Sequence, residues 1–267
     1  MRLKTAGDVG VDDYLKVIET SVLEWTPAEI ERLTKLLDGM RDVSRRIARK
    51  LPKEIVFIKT SGAGESNAAY TRGNAVVLPQ SRINTGDDAV VKLVWHELFH
   101  VLSRHNSELR NRLYATFGFA LVAKFALPDD VGSHKITNPD APHHRHAIRV
   151  TIDGREQWAV PVLLSKRSRE QAGDGGEFFQ FIELKLLLID RDEASEAVRP
   201  LMEEGRSRLV PLDAAPDFFT QIGRNTGYII HPEEIAADNF TLLARGDTDV
   251  PNPELLEKMR KILEAAK

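Results

Sequence analysis

A long apolar run that contains two histidines and a glutamate dominates the hydrophobic pattern of the chain. It covers residues 90–102 and reads Val-Val-Lys-Leu-Val-Trp-His-Glu-Leu-Phe-His-Val-Leu. Apolar side chains on nearly every side predict a helix buried in the middle of a domain. Asp87 and Asp88 precede the run and predict a capped, acidic start to this helix, which we expect to end near Arg104.

Helical periodicity also fills the first part of the chain. Thr26-Pro27-Ala28-Glu29 combines a capping box with a proline at the first helical position, and apolar residues follow at helical spacing up to Met40. Leu51-Pro52 ends the pattern. We therefore predict helices over residues 11–50 and an N-terminal helical segment over residues 1–52.

Short strands and turn signals come next. Residues 55–58 predict a strand, and residues 61–66 predict a loop. Asn67-Ala68-Ala69-Tyr70, a turn over residues 71–74, and residues 75–79 predict a hairpin. Residues 108–119 predict a further helix behind the buried one.

The region from residue 120 to residue 212 reads largely as β-structure. Residues 146–152 and 155–164 flank Asp153-Gly154, which is a strong hairpin signal. Residues 173–176 predict a loop, and residues 178–189 predict a buried strand. This region is either a β-rich inserted lobe or lid, or a separate, unrelated β module. Helices are predicted again over residues 213–267, so the fold class is α+β.

Composition narrows the possible partners. The 267 residues are 42% hydrophobic and carry a net charge of −3, which gives no basic surface for nucleic acid. No cysteine is present, so a zinc site would have to use histidine and carboxylate. The chain lacks the apolar core of a signal peptide and any run long enough to span a membrane. We therefore expect a cytoplasmic protein with neither nucleic acid nor membrane as a partner, of unknown oligomeric state.

The buried helix carries the pattern HExxH. His96 and His100 are four residues apart and share one helical face, so two imidazoles can hold one metal ion. Glu97 stands beside them, where it can reach a water on the metal. The alternative is that these histidines are hydrogen-bonded core residues.

A later helix with an acidic start contains a candidate for the third metal ligand. Glu234 and Asp238 are four residues apart in a helix that begins near Pro232. Glu234 can bind the metal while Asp238 accepts a hydrogen bond from the other ring nitrogen of a ligand histidine. Glu233 does not fit this spacing, because Ala237 stands four residues after it. The alternative is an acidic helix start that the helix dipole favours.

The two motifs together resemble those of the gluzincins, the thermolysin-like metallopeptidases, whose HExxH helix is answered by a later helix with E-x-x-x-D. The resemblance implies a zincin-like catalytic core over residues 53–119, completed by the C-terminal helices, with one Zn²⁺ per chain. Gluzincins also place a hairpin before the HExxH helix. Its outer strand, here Asn67, Ala68, Ala69 and Tyr70, would pair with an extended substrate, although a plain hairpin has the same sequence pattern.

Further residues are candidates for stabilising the oxyanion of the transition state. Tyr228 is the preferred phenol for this role, the alternative being a tyrosine packed under a loop. The run from Asn138 to His146 contains His143, His144 and His146. One of these histidines is a second candidate, a second metal site is another reading, and a polar loop with exposed histidines is the simplest.

The sequence therefore predicts a zinc metallopeptidase that acts on a peptide or protein. His96, His100 and Glu234 would hold Zn²⁺, Glu97 would act as the general base, and Asp238 would orient a ligand histidine. Two alternatives remain open. One is a zinc hydrolase of a non-peptide bond, and the other is a non-catalytic regulatory or binding protein stabilised by zinc.

Overall fold

A computed structural model describes residues 9–166, 182–192 and 197–265 of the chain. Helices and strands are mixed along these residues, which confirms the α+β class. The loop predicted over residues 173–176 and the first part of the strand predicted over residues 178–189 lie outside the described residues.

The described residues form ten α-helices and eleven strands. The helices are α1 (Val11–Ser21), α2 (Pro27–Gly39), α3 (Arg41–Ile47), α4 (Gln80–Ile83), α5 (Asp87–His105), α6 (Ser107–Ala115), α7 (Asp129–Gly132), α8 (Pro216–Ile222), α9 (Pro232–Arg245) and α10 (Pro253–Ala265). The strands are β1 (Val56–Thr60), β2 (Tyr70–Arg72), β3 (Ala75–Pro79), β4 (Phe119–Leu121), β5 (His146–Ile152), β6 (Arg155–Ser165), β7 (Ile182–Arg191), β8 (Val198–Pro200), β9 (Met202–Glu203), β10 (Arg206–Ser207) and β11 (Leu209–Pro211).

The chain divides into two compact units. The first takes in the described residues up to Arg110, then residues 237–248 and those from Met259 onward. The second takes in residues 111–236 and 249–258. Three of the four boundaries fall inside α6, α9 and α10, so these three helices each contribute to both units. The described residues of the region predicted as β-rich, 120–212, lie within the second unit.

The first unit contains a three-stranded sheet in the order β1-β3-β2. β3 pairs parallel with β1 and antiparallel with β2, which confirms the predicted hairpin and places β2 at the edge. The edge strand begins only at Tyr70, however, and extends to Arg72. Glu65, Ser66 and Asn67 have φ angles of 48°, 55° and 65°, and this left-handed backbone interrupts an extended strand before Tyr70.

The N-terminal helices are local structures that their own sequence specifies. Thr26 and Glu29 form the predicted capping box, and Pro27 occupies the first turn of α2. The predicted helical stretch is interrupted between α1 and α2, where Val22 forms a β-bridge with Thr60. The buried helix α5 runs from Asp87 to His105.

Two sequence predictions about helix ends were wrong. Gly86 is the N-cap of α5 and no side chain caps it, so Asp87 and Asp88 lie in the first turn rather than at the cap. The helix predicted over residues 108–119 ends at Ala115, because Gly118 takes a φ of 81° and Phe119 begins β4.

The second unit is built on a six-stranded sheet. The strand order is β11-β7-β6-β5-β4, with β8 also paired to β7. β5 and β6 form the predicted hairpin, and Asp153 and Gly154 at its turn have φ angles of 51° and 75°. One face of the sheet is apolar, and its buried core residues include Ala147, Val160 and Leu187.

Candidate metal centre

Helix α5 and the part of α9 that belongs to the first unit, from Ala237 onward, pack antiparallel to each other. Trp95 and Phe99 of α5 pack against Phe240 of α9, with ring centroids 6.0 and 5.5 Å apart. All three rings are at most 2% exposed. Near the end of α9, Arg245 forms a 2.7 Å ion pair with Asp88 in the first turn of α5. Aromatic packing and this ion pair therefore fix how the two helices are aligned.

His96 and His100 lie one turn apart on α5. Their ring centroids are 4.7 Å apart and their ring planes are inclined at 85°. His100 is fully buried, whereas the side chain of His96 keeps 15% of its surface exposed. The two imidazoles thus occupy one face of a buried helix, as the spacing predicted.

Asp238 contacts the first of these histidines. Its Oδ1 lies 2.8 Å from Nδ1 of His96. Because an ionised carboxylate only accepts hydrogen bonds, Nδ1 of His96 carries the proton in this contact. Nε2 is then the ring nitrogen with a lone pair for a metal ion. The predicted contact between Asp238 and a histidine of the HExxH motif is present, and the role of that histidine as a metal ligand stays a prediction.

The position of Glu234 beside His100 follows from the same antiparallel alignment. Along α9, Arg245 pairs with Asp88 and Asp238 pairs with His96, so the residue one turn before Asp238 is level with His100. That residue is Glu234, which is 1% exposed. Ligand atoms of His96, His100 and Glu234 all lie within 4.8 Å of one another. The structure therefore contains a residue group that can hold a metal ion.

The chemistry of this donor set fits a zinc ion. Two imidazole nitrogens and one carboxylate oxygen are a common ligand set of catalytic zinc, which leaves a further position for water. Burial also fits, because Glu234 and Glu97 are 1% and 2% exposed and a positive charge nearby stabilises a buried carboxylate. A dication at the group would supply that charge.

A residue of the edge strand β2 hydrogen-bonds to the side chain of Glu97. Thr71 of β2 is fully buried, and its hydroxyl lies 2.8 Å from Oε2 of Glu97 and 3.3 Å from its backbone carbonyl. The sequence pattern placed Thr71 in a hairpin turn, and this assignment was wrong because β2 continues to Arg72. Nothing in the sequence indicated a partner for Glu97, since the contact joins residues that are far apart in the chain.

Glu233 has a different environment from its neighbour Glu234. It is 3% exposed, and the buried hydroxyl of Tyr114 donates a hydrogen bond to its carboxylate. Its backbone N–H donates to Nδ1 of His231 over 3.0 Å, so His231 caps α9 with its ring. Burial lowers the pKa of His231 to about 3 and keeps this ring neutral. Glu233 is not a member of the ligand group.

A polar loop with three exposed histidines is not what the structure shows for the run ending at His146. His143 is exposed, but His146 is buried in β5, and its Nε2 lies 2.9 Å from Oδ1 of Asn111. Both ring nitrogens of His144 are buried without a hydrogen-bond partner among the described residues. Burial lowers the pKa of His144 to about 4. None of these three belongs to the candidate metal-ligand groups found among the described residues.

The remaining candidates lie outside the ligand group. Tyr228 is 44% exposed in the loop between α8 and α9, where its backbone N–H donates to Oγ1 of Thr226 over 2.9 Å. Its role at the oxyanion stays a prediction. Asn67, Ala68 and Ala69 precede β2, and Oδ1 of Asn67 accepts a 2.9 Å hydrogen bond from Ser81. Of the predicted substrate-binding residues, only Tyr70 lies in the edge strand.

One polar residue that the sequence analysis gave no role contacts the ligand group. Asn138 is 8% exposed, and its side-chain amide donates a hydrogen bond to Oε1 of Glu234.

Among the described residues, no helix is both long enough and apolar enough to cross a membrane. Comparison of the chain with models of known protein families, with curated proteins and with solved structures found no match.

Proposed function

We propose that the protein is a zinc-dependent metallopeptidase. The observation that carries the proposal is the group of His96, His100 and Glu234, with the buried carboxylate of Glu97 next to it on α5. A ligand set of this composition is typical of catalytic zinc. The proposal includes a zincin-like core made of the three-stranded sheet, α5 and α9.

Zinc, when bound, supplies a positive charge that acidifies water and polarises a carbonyl group. Glu97 then has the tasks of a general base and a general acid. Its carboxylate accepts a proton as the oxygen of water forms a bond to the carbonyl carbon of the substrate. It returns that proton to the nitrogen of the departing amine as the carbon–nitrogen bond breaks. Asp238 holds the ring of His96 in the tautomer that this ligand role needs.

The edge strand supports a peptide as the substrate. β2 is the outermost strand of its sheet, and Thr71 of this strand touches the carboxylate of Glu97. A peptide that runs alongside an edge strand is recognised through its main chain, independently of most of its side chains. Tyr70 and Thr71 are 6% and 0% exposed, so a peptide pairs with this part of β2 only when the residues that cover it move aside, and its carbonyl groups would then lie close to Glu97. The absence of cysteine is compatible with a reducing compartment, and a cytoplasmic location is part of the proposal.

The decisive experiment compares Glu97→Gln with the wild type. Zinc content is measured by elemental analysis, and cleavage of a mixed peptide library is followed by mass spectrometry. We expect about one zinc per chain in both proteins and cleavage by the wild type alone, because glutamine keeps the shape of the side chain but cannot accept the proton. Glu108→Gln, an exposed position in α6, is the control and should cleave like the wild type.

Three results would contradict the proposal, each in a different way. A wild-type protein that takes up no zinc lacks the metal site. A wild-type protein that holds zinc and cleaves no peptide in the library is a hydrolase of another bond or a binding protein. A Glu97→Gln variant as active as the wild type would remove Glu97 from the chemistry.

A further inference from the structure

We propose that Asn138 is a positioning residue for the metal ligand Glu234. The inference deepens the proposed function and rests on its metal site, although it does not depend on which bond the enzyme hydrolyses. In this arrangement the side-chain amide of Asn138 donates a hydrogen bond to Oε1 of Glu234, which leaves Oε2 of that carboxylate to bind the metal.

The contact is buried and involves a charged acceptor. The Nδ2 group of Asn138 donates to Oε1 of Glu234, and the two residues are 8% and 1% exposed. A hydrogen bond to a charged group contributes more than one between neutral groups, and low dielectric surroundings strengthen it further. Among the described residues, Asn138 is therefore placed to restrict the orientation of the Glu234 carboxylate.

The amide orientation of Asn138 follows from a second hydrogen bond. The backbone N–H of Asp140 donates to Oδ1 of Asn138 over 3.0 Å. Because a backbone N–H only donates, the atom that faces Asp140 must be the oxygen of the side-chain amide. The amino group then necessarily faces Glu234, where a donor is required. The two contacts agree on one orientation.

A tight turn fixes the backbone of Asn138. Its carbonyl accepts a 3.2 Å hydrogen bond from the N–H of Ala141, which closes a turn over Asn-Pro-Asp-Ala. Asparagine at the first position and proline at the second are favoured in such turns. The segment before the turn is tied to β6, since the N–H of Ile136 donates to the carbonyl of Leu163 over 2.8 Å. The donor is thus in place without needing a metal ion.

This placement has a measurable consequence for metal affinity. Residues that hydrogen-bond metal ligands fix their orientation, and losing one typically lowers metal affinity about 10-fold to 100-fold. Without Asn138, the carboxylate of Glu234 loses this restraint on its orientation. We therefore expect both a weaker zinc site and an altered coordination geometry.

The experiment uses two variants of the full chain. Asn138→Ala removes the donor and the side-chain acceptor for Asp140. Asn138→Asp keeps an oxygen for the N–H of Asp140, and so keeps the turn, but replaces the amino donor by a second oxygen. Asn225→Ala is the matched control, because the amide of Asn225 likewise donates one hydrogen bond and accepts another, in this case both with the backbone of Asn252, over 2.9 and 2.7 Å. Thermal unfolding of each metal-free protein reports any loss of fold.

Zinc affinity is measured by competition with a chromophoric chelator, and the visible spectrum of the Co²⁺ form reports coordination geometry. We expect Asn138→Ala and Asn138→Asp to bind zinc about 10-fold to 100-fold more weakly than the wild type and to change the Co²⁺ spectrum. The control should match the wild type in both readouts. Two variants that bind zinc like the wild type would overturn the proposal.

Other outcomes are also decisive. If Asn138→Asp binds zinc normally while Asn138→Ala does not, the turn matters and the donor role is overturned. If the wild type takes up no zinc, both this inference and the metal site fail. If the wild type holds zinc and cleaves no peptide, only the peptidase proposal fails, because the affinity comparison still tests Asn138.

Discussion

The hydroxyl of Thr71 lies 2.8 Å from the carboxylate of Glu97, and both side chains are buried. Thr71 belongs to the edge strand β2, whereas Glu97 is the residue after the first histidine of the HExxH motif. The hydrogen bond holds one oxygen of the proposed general base. It also links β2, the strand beside which a peptide would bind, to the carboxylate that would accept a proton from water and return it to the departing amine.

Replacing Thr71 by valine should therefore reduce peptide hydrolysis. Valine has nearly the same shape but no hydroxyl, so the carboxylate of Glu97 loses a hydrogen bond to a charged group. We expect kcat/KM for a cleaved peptide to fall about 10-fold to 100-fold while the zinc content stays unchanged. Thr60→Val, in strand β1 of the same sheet, is the control. An unchanged kcat/KM in Thr71→Val would show that Glu97 does not need this contact.

Replacing Asp238 should weaken binding of the metal rather than binding of the substrate. Asp238→Ala removes the carboxylate that fixes the ring of His96, which leaves that ring free to change its tautomer and orientation. We expect zinc affinity, measured by chelator competition, to fall about 10-fold to 100-fold. Asp247→Ala, which removes a carboxylate from Arg245 instead, should keep the affinity of the wild type. Equal affinities in the two variants would argue against an orienting role.

The adjacent residues Glu233 and Glu234 should have separable roles. Glu234→Gln weakens zinc binding, because a neutral amide replaces a charged ligand oxygen. Glu233→Gln instead disturbs the buried hydrogen bond from Tyr114, and we expect the free energy of unfolding to fall by about 1–3 kcal/mol. Chelator competition and urea denaturation of both variants separate the two effects. A loss of zinc in Glu233→Gln equal to that in Glu234→Gln would contradict the assignment.

An ion pair in the first unit should make stability depend on pH in acid. Lys59 is 3% exposed, and its Nζ lies 2.8 Å from Oε2 of Glu29, the glutamate of the capping box at the start of α2. The Lys59 contact, with help from the Thr26 backbone N–H, lowers the pKa of Glu29 from 4.5 to about 2. A lowered folded-state pKa stabilises the fold above the unfolded value, and this contribution is lost as pH falls from about 5 towards 2.

Glu29→Gln should remove this part of the pH dependence. The free energy of unfolding, measured by urea denaturation across that pH range, should fall less steeply in the variant than in the wild type. Glu31→Gln, an exposed position on the same helix, should leave the slope unchanged. Parallel curves for wild type and Glu29→Gln would show that Glu29 keeps an ordinary pKa in the folded protein.

Local signals predicted those parts of the fold that neighbouring residues determine. The Thr26 capping box and the Asp153-Gly154 hairpin are each specified by a few consecutive side chains, and both are present. The four-residue spacings of His96 with His100 and of Glu234 with Asp238 also needed only helical periodicity. Their meeting follows from the packing of α5 and α9, which the resemblance suggested and which the spacing alone did not establish.

Contacts between distant segments explain what the sequence did not predict. Asn138 and Thr71 are short polar residues that look like ordinary turn formers, and their roles depend on partners far away in the chain. His146 reads as part of a polar run, yet it is buried in β5, where its ring packs against Tyr114. The edge strand was placed too early, since three successive left-handed residues are not visible in an Asn-Ala pattern.

The antiparallel alignment of α5 and α9 makes this centre intolerant of small slips in register. The same four-residue step separates His96 from His100 and Asp238 from Glu234, and the two steps run in opposite directions. Inserting or deleting one residue between Glu234 and Asp238 would rotate the preceding part of the helix by about 100° relative to Asp238. Glu234 would then leave the ligand face while Asp238 stayed in place. A change of length between Glu234 and Asp238 would therefore separate the ligand from the residue that orients His96.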